Sequence, residues 1–319
     1  IRPCDWSSDV CSSDLGPAST VALHGTLTVA ELAGSRGLVD LRGGSLTVVG
    51  DATIGGAGSG EMRQAGGTAA TFQSLLAIGS GNVGTGTYQM AGGVLNAGSV
   101  VVGTAGSNGD SRWTLGGDAQ ASLTGDLHVG NGELQLRGGS TLDVAGLHVG
   151  DTGVGAVRQT GSQEAGGPRP IVHVADDLWL GLNGHNGSYQ MSGNAQLEVG
   201  GNLVLGDDGA GRFDQSGGDT HVAGYMRFGL VTNAFANILA VTGGTFTVDG
   251  SLRVGHNPTS SPFLMPNGYV VLKDSGRIDL NSWAVIGYDG RGQLDQDGGT
   301  LVVIELASAV VADHSPTVE

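Results

Sequence analysis

Apolar and polar residues alternate in short runs along almost the whole chain, as expected for β-strands with one buried side. The segment 193–216 contains three such runs, separated by glycine-bearing turns. Their inward positions are Leu197 and Val199, Leu203 and Leu205, and Phe213 and Gln215. Each run is too short to be stable alone. The pattern therefore predicts strands that bury their apolar side against equivalent strands of neighbouring copies.

The three-strand unit recurs through the chain. An apolar residue followed by glycine marks each copy, and successive marks are 20 to 32 residues apart. The marks are Ile54-Gly55, Ile78-Gly79, Val102-Gly103, Val129-Gly130, Val149-Gly150, Leu180-Gly181, Leu205-Gly206, Phe228-Gly229, Val254-Gly255 and Ile286-Gly287. Repetition with this period predicts an all-β fold: a parallel β-solenoid (β-helix) over residues 16–306, with three short strands per coil and about ten coils.

Three other repeat folds fit this period less well. A propeller blade needs about 40 residues and four strands, and calcium-binding β-rolls repeat about every nine residues. Leucine-rich repeats need a helical segment on their convex side, for which the glycine-rich stretches leave no room. The β-solenoid is therefore the predicted architecture.

The alternation also predicts which side chains form the core. Columns of buried residues are expected at Leu142, Val144, Leu197, Val199, Phe246 and Val248, with Asp143, Glu198 and Thr247 outside. One inward column carries glutamine in some copies and Met, Leu or Val in others; the glutamines are Gln64, Gln159, Gln215 and Gln296. Each buried glutamine needs hydrogen-bond partners, and turn carbonyls or the glutamine of an adjacent coil are the simplest ones.

Three units carry a resemblance to a known repeat: TYQMAGGVLNAGSVVVGTAGS, SYQMSGNAQLEVGGNLVLGDDGAG and RFDQSGGDTHVAGYMRFG. They resemble the repeat shared by bacterial autotransporter (type V secretion) passengers and PEP-CTERM proteins, and the likeness covers roughly residues 25–304. The resemblance implies an extracellular, outer-membrane-associated or secreted β-helical stalk. We expect the chain to be a fragment that ends in a truncated tail at 307–319, with an outer-membrane barrel or sorting anchor downstream.

Composition excludes several classes of protein. Glycine accounts for 61 of 319 residues but without the Gly-X-Y period of collagen, and a hydrophobic content of 39% is too high for a disordered polar tract. No run of 18 apolar residues is present, so no transmembrane helix is expected. The net charge of −16 argues against nucleic acid as a partner.

The first fifteen residues, IRPCDWSSDVCSSDL, differ from everything that follows. They lack an initiator Met, share none of the repeat, and contain both cysteines, Cys4 and Cys11. A secretory signal is not indicated, because a basic start and an apolar stretch are both missing. The segment resembles the translated read-through of a sequencing adapter. Residues 1–15 are therefore predicted to be disordered and to add no coil.

Two outward columns carry the candidate chemistry, since in-register stacking places equivalent residues about 4.8 Å apart. The first-strand column alternates acid and imidazole and supplies four weak catalytic candidates: Asp143, His173, Glu198 and His221. Carboxylates beside histidine can transfer protons or hold a metal, but a solvated charge ladder explains the column more simply. The second-strand column supplies candidates for surface binding: His128, His148 and Trp179. No cofactor or metal is predicted, and acids beside turn glycines, such as Asp151, are interpreted as turn-forming residues.

Two longer excursions leave the same corner of successive coils. The segment 230–237 reads LVTNAFAN, and 256–267 reads HNPTSSPFLMPN with apolar Phe263, Leu264 and Met265 at its tip. The solenoid interior is already filled by strands, so these tips are predicted to pack on each other or to form an exposed binding patch.

The leading hypothesis for function is structural: an adhesin-like, non-enzymatic stalk or passenger segment. Two alternatives use the same fold. One is a polysaccharide lyase or hydrolase acting on an outward face, and the other is a module that binds polysaccharide through an exposed stripe. Most turns have three to eight residues, which favours the stalk over an enzyme with cleft-forming loops. The expected partners are polysaccharides or other surface proteins.

Overall fold

The computed structural model of the chain describes residues 11–15, 19–81, 83–105, 110–164, 166–229, 237–255, 267–287 and 291–305. Within these ranges the chain forms 28 strands and no helix. Equivalent strands of successive coils pair in parallel, as β15 (Thr141–Val144) does with β18 (Ile171–Val174). The strands stack as a β-solenoid of about ten turns, so the predicted fold is confirmed.

Each coil contributes a strand to each of three faces. The first face contains β2 (Thr20–Leu23), β5 (Ser45–Val48), β12 (Gln120–Leu123), β15, β18 and β21 (Gln196–Val199). The second face contains β3 (Leu27–Val29), β6 (Ala52–Ile54), β13 (Leu127–Val129), β16 (Leu147–Val149), β19 (Leu178–Leu182), β22 (Leu203–Asp207), β24 (Met226–Phe228) and β26 (Leu252–Val254). The third face contains β1 (Cys11–Leu15), β4 (Arg36–Leu41), β7 (Ser59–Gln64), β9 (Thr85–Met90), β11 (Ser111–Leu115), β14 (Gly132–Arg137), β17 (Gly155–Thr160) and β20 (Gly187–Ser192).

Six longer strands bend around the corners between faces. β8 (Ala69–Ile78) and β10 (Val94–Val102) run from the first face to the second. β23 (Gly211–Val222) and β25 (Asn237–Val248) run from the third face to the first. The last two, β27 (Asn267–Ile286) and β28 (Arg291–Glu305), continue around the coil from the third face.

The core consists of the inward side chains of all three faces. Leu142, Val172 and Leu197 are direct partners in successive coils and are fully buried, whereas Asp143 lies on the exposed side. The predicted core phase is confirmed at each of its six positions. Burying a Val, Leu or Phe side chain contributes roughly 1.5–3 kcal/mol, so the stacked columns supply the main stabilisation of the rod.

Glycine is required at two columns for different physical reasons. Eight of the ten glycines that mark the repeat have φ between 69° and 81°, among them Gly150, a region that side chains with a Cβ disfavour. A second column of glycines begins the third-face strands. A Cβ on Gly187 would lie 2.0 Å from the Val149 oxygen and 2.4 Å from the Gly181 nitrogen. This position therefore packs backbone directly against backbone.

The prediction that buried glutamines bond to turn carbonyls is confirmed for one of the two bonds that Gln64 and Gln159 each donate; the second acceptor is the first residue of a strand in the next coil. Gln159 is fully buried; its Nε2 donates to the Pro170 oxygen at 3.0 Å and the Gln196 oxygen at 2.7 Å, and its Oε1 accepts the Tyr189 hydroxyl at 2.7 Å. Gln64 and Gln215 make the same three kinds of bond, to a carbonyl of their own coil, a carbonyl of the next coil and a buried hydroxyl. Each glutamine thus ties two coils together within the core.

The N-terminal segment behaves differently from the prediction. Cys11–Leu15 forms β1, which pairs in parallel with β4 from Gly37 to Leu41, so the expectation of disorder and of no added coil is wrong for these five residues. The physical reason is the open edge of β4, whose free N–H and C=O groups can pair with any extended segment regardless of its side chains. Residues 1–10 lie outside the described residues, and the adapter origin stays a prediction.

In β28, the last described strand, the side chains that point inward are only partly buried. In β28, Gln296 is exposed although it occupies the same column as the buried Gln215. Leu301 and Val303, which continue the inward columns of Ile278 and Leu280, are only partly buried. No described coil lies beyond β28 to cover these side chains. The predicted tail 307–319 lies outside the described residues.

Candidate functional site

The outward column of the first face has the predicted register. Direct partners in successive coils are Asp143, His173, Glu198, His221, Thr247 and Asp279. All six project from one face of the rod, because successive residues of a strand point to opposite sides.

The four weak catalytic candidates in this column do not converge on one point. His173 Nδ1 lies 2.9 Å from Glu198 Oε2, whereas His221 Nε2 pairs with Asp249 Oδ2 at 2.8 Å. Asp249 also accepts a hydrogen bond from Asn281, and these bonds from Asn281 and His221 lower the pKa of Asp249. No ion pair joins Asp143 to its register partner within the described part of the chain.

This arrangement is a set of local ion pairs without a cleft. His173, Glu198, His221 and Asp249 are each between 42% and 48% exposed, and such pairs contribute about 0–1 kcal/mol. A depression on this face is open to solvent, and its lining includes Glu198, His221 and Thr247. Nothing in this geometry excludes water or fixes a substrate.

The outward column of the second face also has the predicted register. Direct partners in successive coils are His128, His148, Trp179, Val204, Arg227 and Arg253. Its apolar member, Val204, is fully buried in spite of its outward phase. The Arg227 guanidinium lies 5.7 Å from the centre of the Trp179 ring and therefore closes over the valine between them.

Two further cation–π contacts extend this surface. The Arg253 guanidinium lies 5.6 Å from the Tyr225 ring centre and 5.0 Å from the Trp283 ring centre. We call Trp179, Tyr225, Arg227, Arg253 and Trp283 the aromatic–arginine stripe. Its five side chains are partly exposed. Tyr, Trp and Arg are the residues most enriched in binding surfaces.

A group of titratable side chains lies at the other end of this column. We call Asp126, His128, His148 and Asp151 the histidine cluster. The rings of His128 and His148 stack with centroids 4.7 Å apart and planes at 10°. His128 Nδ1 lies 2.6 Å from Asp151 Oδ2, and His148 Nε2 lies 3.8 Å from Asp126 Oδ2. One ligand atom from each of Asp126, His128 and His148 lies within 4.8 Å of the others.

Local structure explains how these four residues meet. His128 and His148 are at the centres of β13 and β16, which pair directly. Asp126 precedes His128 by two residues and therefore has the same outward phase. Gly150, with φ of 74°, turns the chain after β16 and brings the Asp151 carboxylate back towards His128.

The sequence identified the two histidines but not their acidic partners. The alternation of period two could have placed Asp126 beside His128. Asp151 was predicted to be a turn residue, whereas its carboxylate bonds to His128 in the preceding coil. The contact between Asp151 and His128 depends on how the turn at Gly150 bends, and the pattern of residues does not specify that bend.

The histidine cluster shifts the pKa values of its members in opposite directions. The hydrogen bond that His128 donates to the Asp151 carboxylate raises the pKa of His128. Desolvation and then the charge of His128 lower the pKa of His148. Burial alone would raise the pKa of Asp151, but the hydrogen bond and charge of His128 outweigh it, so that pKa is lowered.

These directions predict separate titrations for the two histidines. In metal-free buffer, NMR should show His128 titrating above and His148 below the reference of about 6.5. Because the pKa of His128 is raised, its stabilising pair is present at low pH and is lost as pH rises through the folded-state pKa. Because the pKa of His148 is lowered, its contribution is present above the unfolded pKa and is lost as pH falls.

The variant Asp151→Asn provides the control for this titration. It removes the charged partner of His128 and should lower the His128 pKa towards the reference. Two histidines that titrate together near 6.5 in the unmodified chain would contradict the described electrostatics.

The remaining binding candidates lie outside the described residues. Phe263, Leu264 and Met265 fall in 256–266, and most of the other excursion falls in 230–236. Their predicted patch therefore stays a prediction.

Among the described residues, no helix is long and apolar enough to cross a bilayer. A scan against protein-family models found no match to the chain, and searches of the curated proteins and of the solved structures found none either.

Proposed function

We propose that the chain is a rigid extracellular spacer: an adhesin-like stalk or passenger segment of a bacterial surface or secreted protein. The observation that carries this proposal is the unbroken register of the first-face outward column from Thr47 to Asp279. At about 4.8 Å per coil, the stack forms a rod about 50 Å long. The likeness of the repeat to autotransporter passengers supports the same role.

The chemistry of the outward faces also supports a spacer. An enzyme needs an acid, a base and a binding cleft in mutual reach. Here His173 and His221 each pair with a different carboxylate on an open face. The third face carries further exposed pairs of the same kind, such as Arg63 with Glu61.

Removing one whole coil tests the spacer role. Glu198 and His221 are register partners, so deletion of residues 198–220 joins Leu197 to His221 and preserves the phase of every face. Coils of a solenoid contact only their neighbours, so the shortened chain should fold and place a C-terminal reporter about 4.8 Å nearer to an N-terminal one. Length is measured by fluorescence energy transfer between the two reporters.

The full chain and the variant that lacks residues 198–220 also test the enzymatic alternative. Both are incubated with a panel of neutral and acidic polysaccharides, and new reducing or unsaturated ends are measured. A spacer cleaves none of them. Cleavage by the full chain that is lost on deletion of 198–220 would favour a lyase or hydrolase and contradict the proposal.

The aromatic–arginine stripe favours a second candidate function, which is polysaccharide binding. The partly exposed aromatic rings provide apolar surface, and Arg253 adds a cation that can pair with uronate carboxylates. The stripe runs along the rod axis and matches an extended polymer better than a small ligand.

Affinity electrophoresis in gels that contain polygalacturonate tests this candidate. The full chain should be retarded, and Trp283→Ala or Arg253→Gln should restore most of its mobility. Arg63→Gln is the matched control, because Arg63 is an exposed arginine on the third face. Equal retardation of all four proteins, or of none, would contradict binding through the stripe.

A further inference from the structure

We propose that the histidine cluster binds one divalent transition-metal ion, with Asp126, His128 and His148 as ligands and Zn²⁺ as the ion that suits them best. The three ligand atoms lie within 4.8 Å of one another. They come from two successive coils, so a bound ion would bridge adjacent rungs of the second face.

The chemical types of the three ligand atoms indicate which class of metal the site would bind. Two imidazoles and one carboxylate are the ligands of many zinc sites that keep a fourth position open. Calcium and magnesium prefer oxygen ligands, and two of the three donors here are nitrogen. The Asp126 side chain is 47% exposed, so the open position would face solvent and accept water or an external oxygen ligand.

Asp151 supplies an independent observation in favour of a metal. A metal-bound histidine usually donates its other ring N–H to a carboxylate, which fixes the tautomer and orients the ring. His128 Nδ1 makes this contact with Asp151 Oδ2 at 2.6 Å, which leaves Nε2 to act as the ligand atom. Asp151 is nine-tenths buried, and its Oδ1 has no hydrogen-bond partner from any other described residue.

The required adjustment is small. Zinc bonds of about 2.0–2.1 Å in a tetrahedron place ligand atoms about 3.3 Å apart. Asp126 Oδ2 and His148 Nε2 are already 3.8 Å apart. Changes in the side-chain torsions of Asp126 and His148, which are both partly exposed, would bring their ligand atoms to the ion while His128 keeps its bond to Asp151. β13 and β16 hold the two histidine backbones in direct register.

Calorimetric titration of the chelator-treated full chain with ZnCl₂ tests the proposal. All proteins carry Cys4→Ser and Cys11→Ser, because free thiolates also bind zinc. We expect one zinc ion per chain. Asp151→Asn should weaken binding about 10–100-fold, as for other residues that support a metal ligand, and His148→Gln should weaken it further.

His221→Gln is the matched control, since it removes a surface imidazole that pairs with a carboxylate outside the cluster. It should bind zinc as the parent does. Titration with Co²⁺ gives a second readout: the parent should develop visible absorption typical of tetrahedral cobalt, and His148→Gln should not. Circular dichroism verifies that each variant is folded. No zinc binding by the parent, or equal binding by the parent and a folded His148→Gln, would overturn the proposal.

Discussion

Gly187→Ala is expected to destabilise the rod by more than about 4 kcal/mol, in the range that only a severe steric or polar defect reaches. The new Cβ would lie 2.0 Å from the Val149 oxygen and 2.4 Å from the Gly181 nitrogen. Both are backbone atoms, one of them in the preceding coil, so neither can move away without breaking a rung. The φ of Gly187 is not positive, so the effect is steric alone.

Gly66→Ala is the matched control for this prediction. A Cβ at Gly66 meets nothing within 4 Å, and its φ is not positive. We expect the free energy of unfolding of Gly66→Ala to differ from that of the parent by no more than about 0.5 kcal/mol. Urea unfolding followed by circular dichroism measures both variants. A loss below 1 kcal/mol for Gly187→Ala would show that the coils are spaced more widely than described.

Gln159→Met is expected to destabilise the rod by about 1–3 kcal/mol, although Met has a similar volume and occurs naturally in the same column. The substitution removes the two bonds that the Gln159 amide donates and leaves the buried hydroxyl of Tyr189 without its partner, whereas the Pro170 oxygen still accepts a bond from the Gln196 N–H. Tyr189 is fully buried, and an unsatisfied buried polar group costs about 1–3 kcal/mol.

A double-mutant cycle separates these contributions. Tyr189→Phe alone removes only the hydroxyl that Gln159 Oε1 accepts, and should cost less than Gln159→Met. The double variant should be more stable than the sum of the single losses indicates, because the two groups are partners. Met90→Leu, in the same column, is a packing control expected to cost under about 1.5 kcal/mol. Additive losses would contradict the described bond between Gln159 and Tyr189.

The burial of side chains and the register of the strands could be predicted from the sequence, because both follow from the two-residue alternation of apolar and polar positions. Each of Leu142, Leu197 and Phe246 is flanked by polar residues, and a shift of one residue would expose the whole column. The glutamine bonds were predictable in kind, since a buried amide needs partners. Their particular acceptors depend on the turns.

The features that the sequence missed come from contacts between coils. Val204 has an outward phase, but it is buried because Trp179 and Arg227 meet above it. Asp151 reaches His128 only because the turn at Gly150 bends back. The pairing of Cys11–Leu15 with β4 is a backbone contact without a side-chain signature. Alternation specifies the face of a residue but not which neighbours on that face will touch.

Spin-label distances along the first face test the stacked rod most directly. Thr47 and Thr247 are eight register steps apart, and Ser122 and Thr247 are five steps apart. Both pairs are labelled in a background that carries Cys4→Ser and Cys11→Ser. Because each coil adds about 4.8 Å, labels at Thr47→Cys and Thr247→Cys should give one narrow distance distribution near 38 Å. Labels at Ser122→Cys and Thr247→Cys should give one narrow distribution near 24 Å. Broad distributions, or two distances that do not scale with the number of coils, would contradict the parallel β-solenoid.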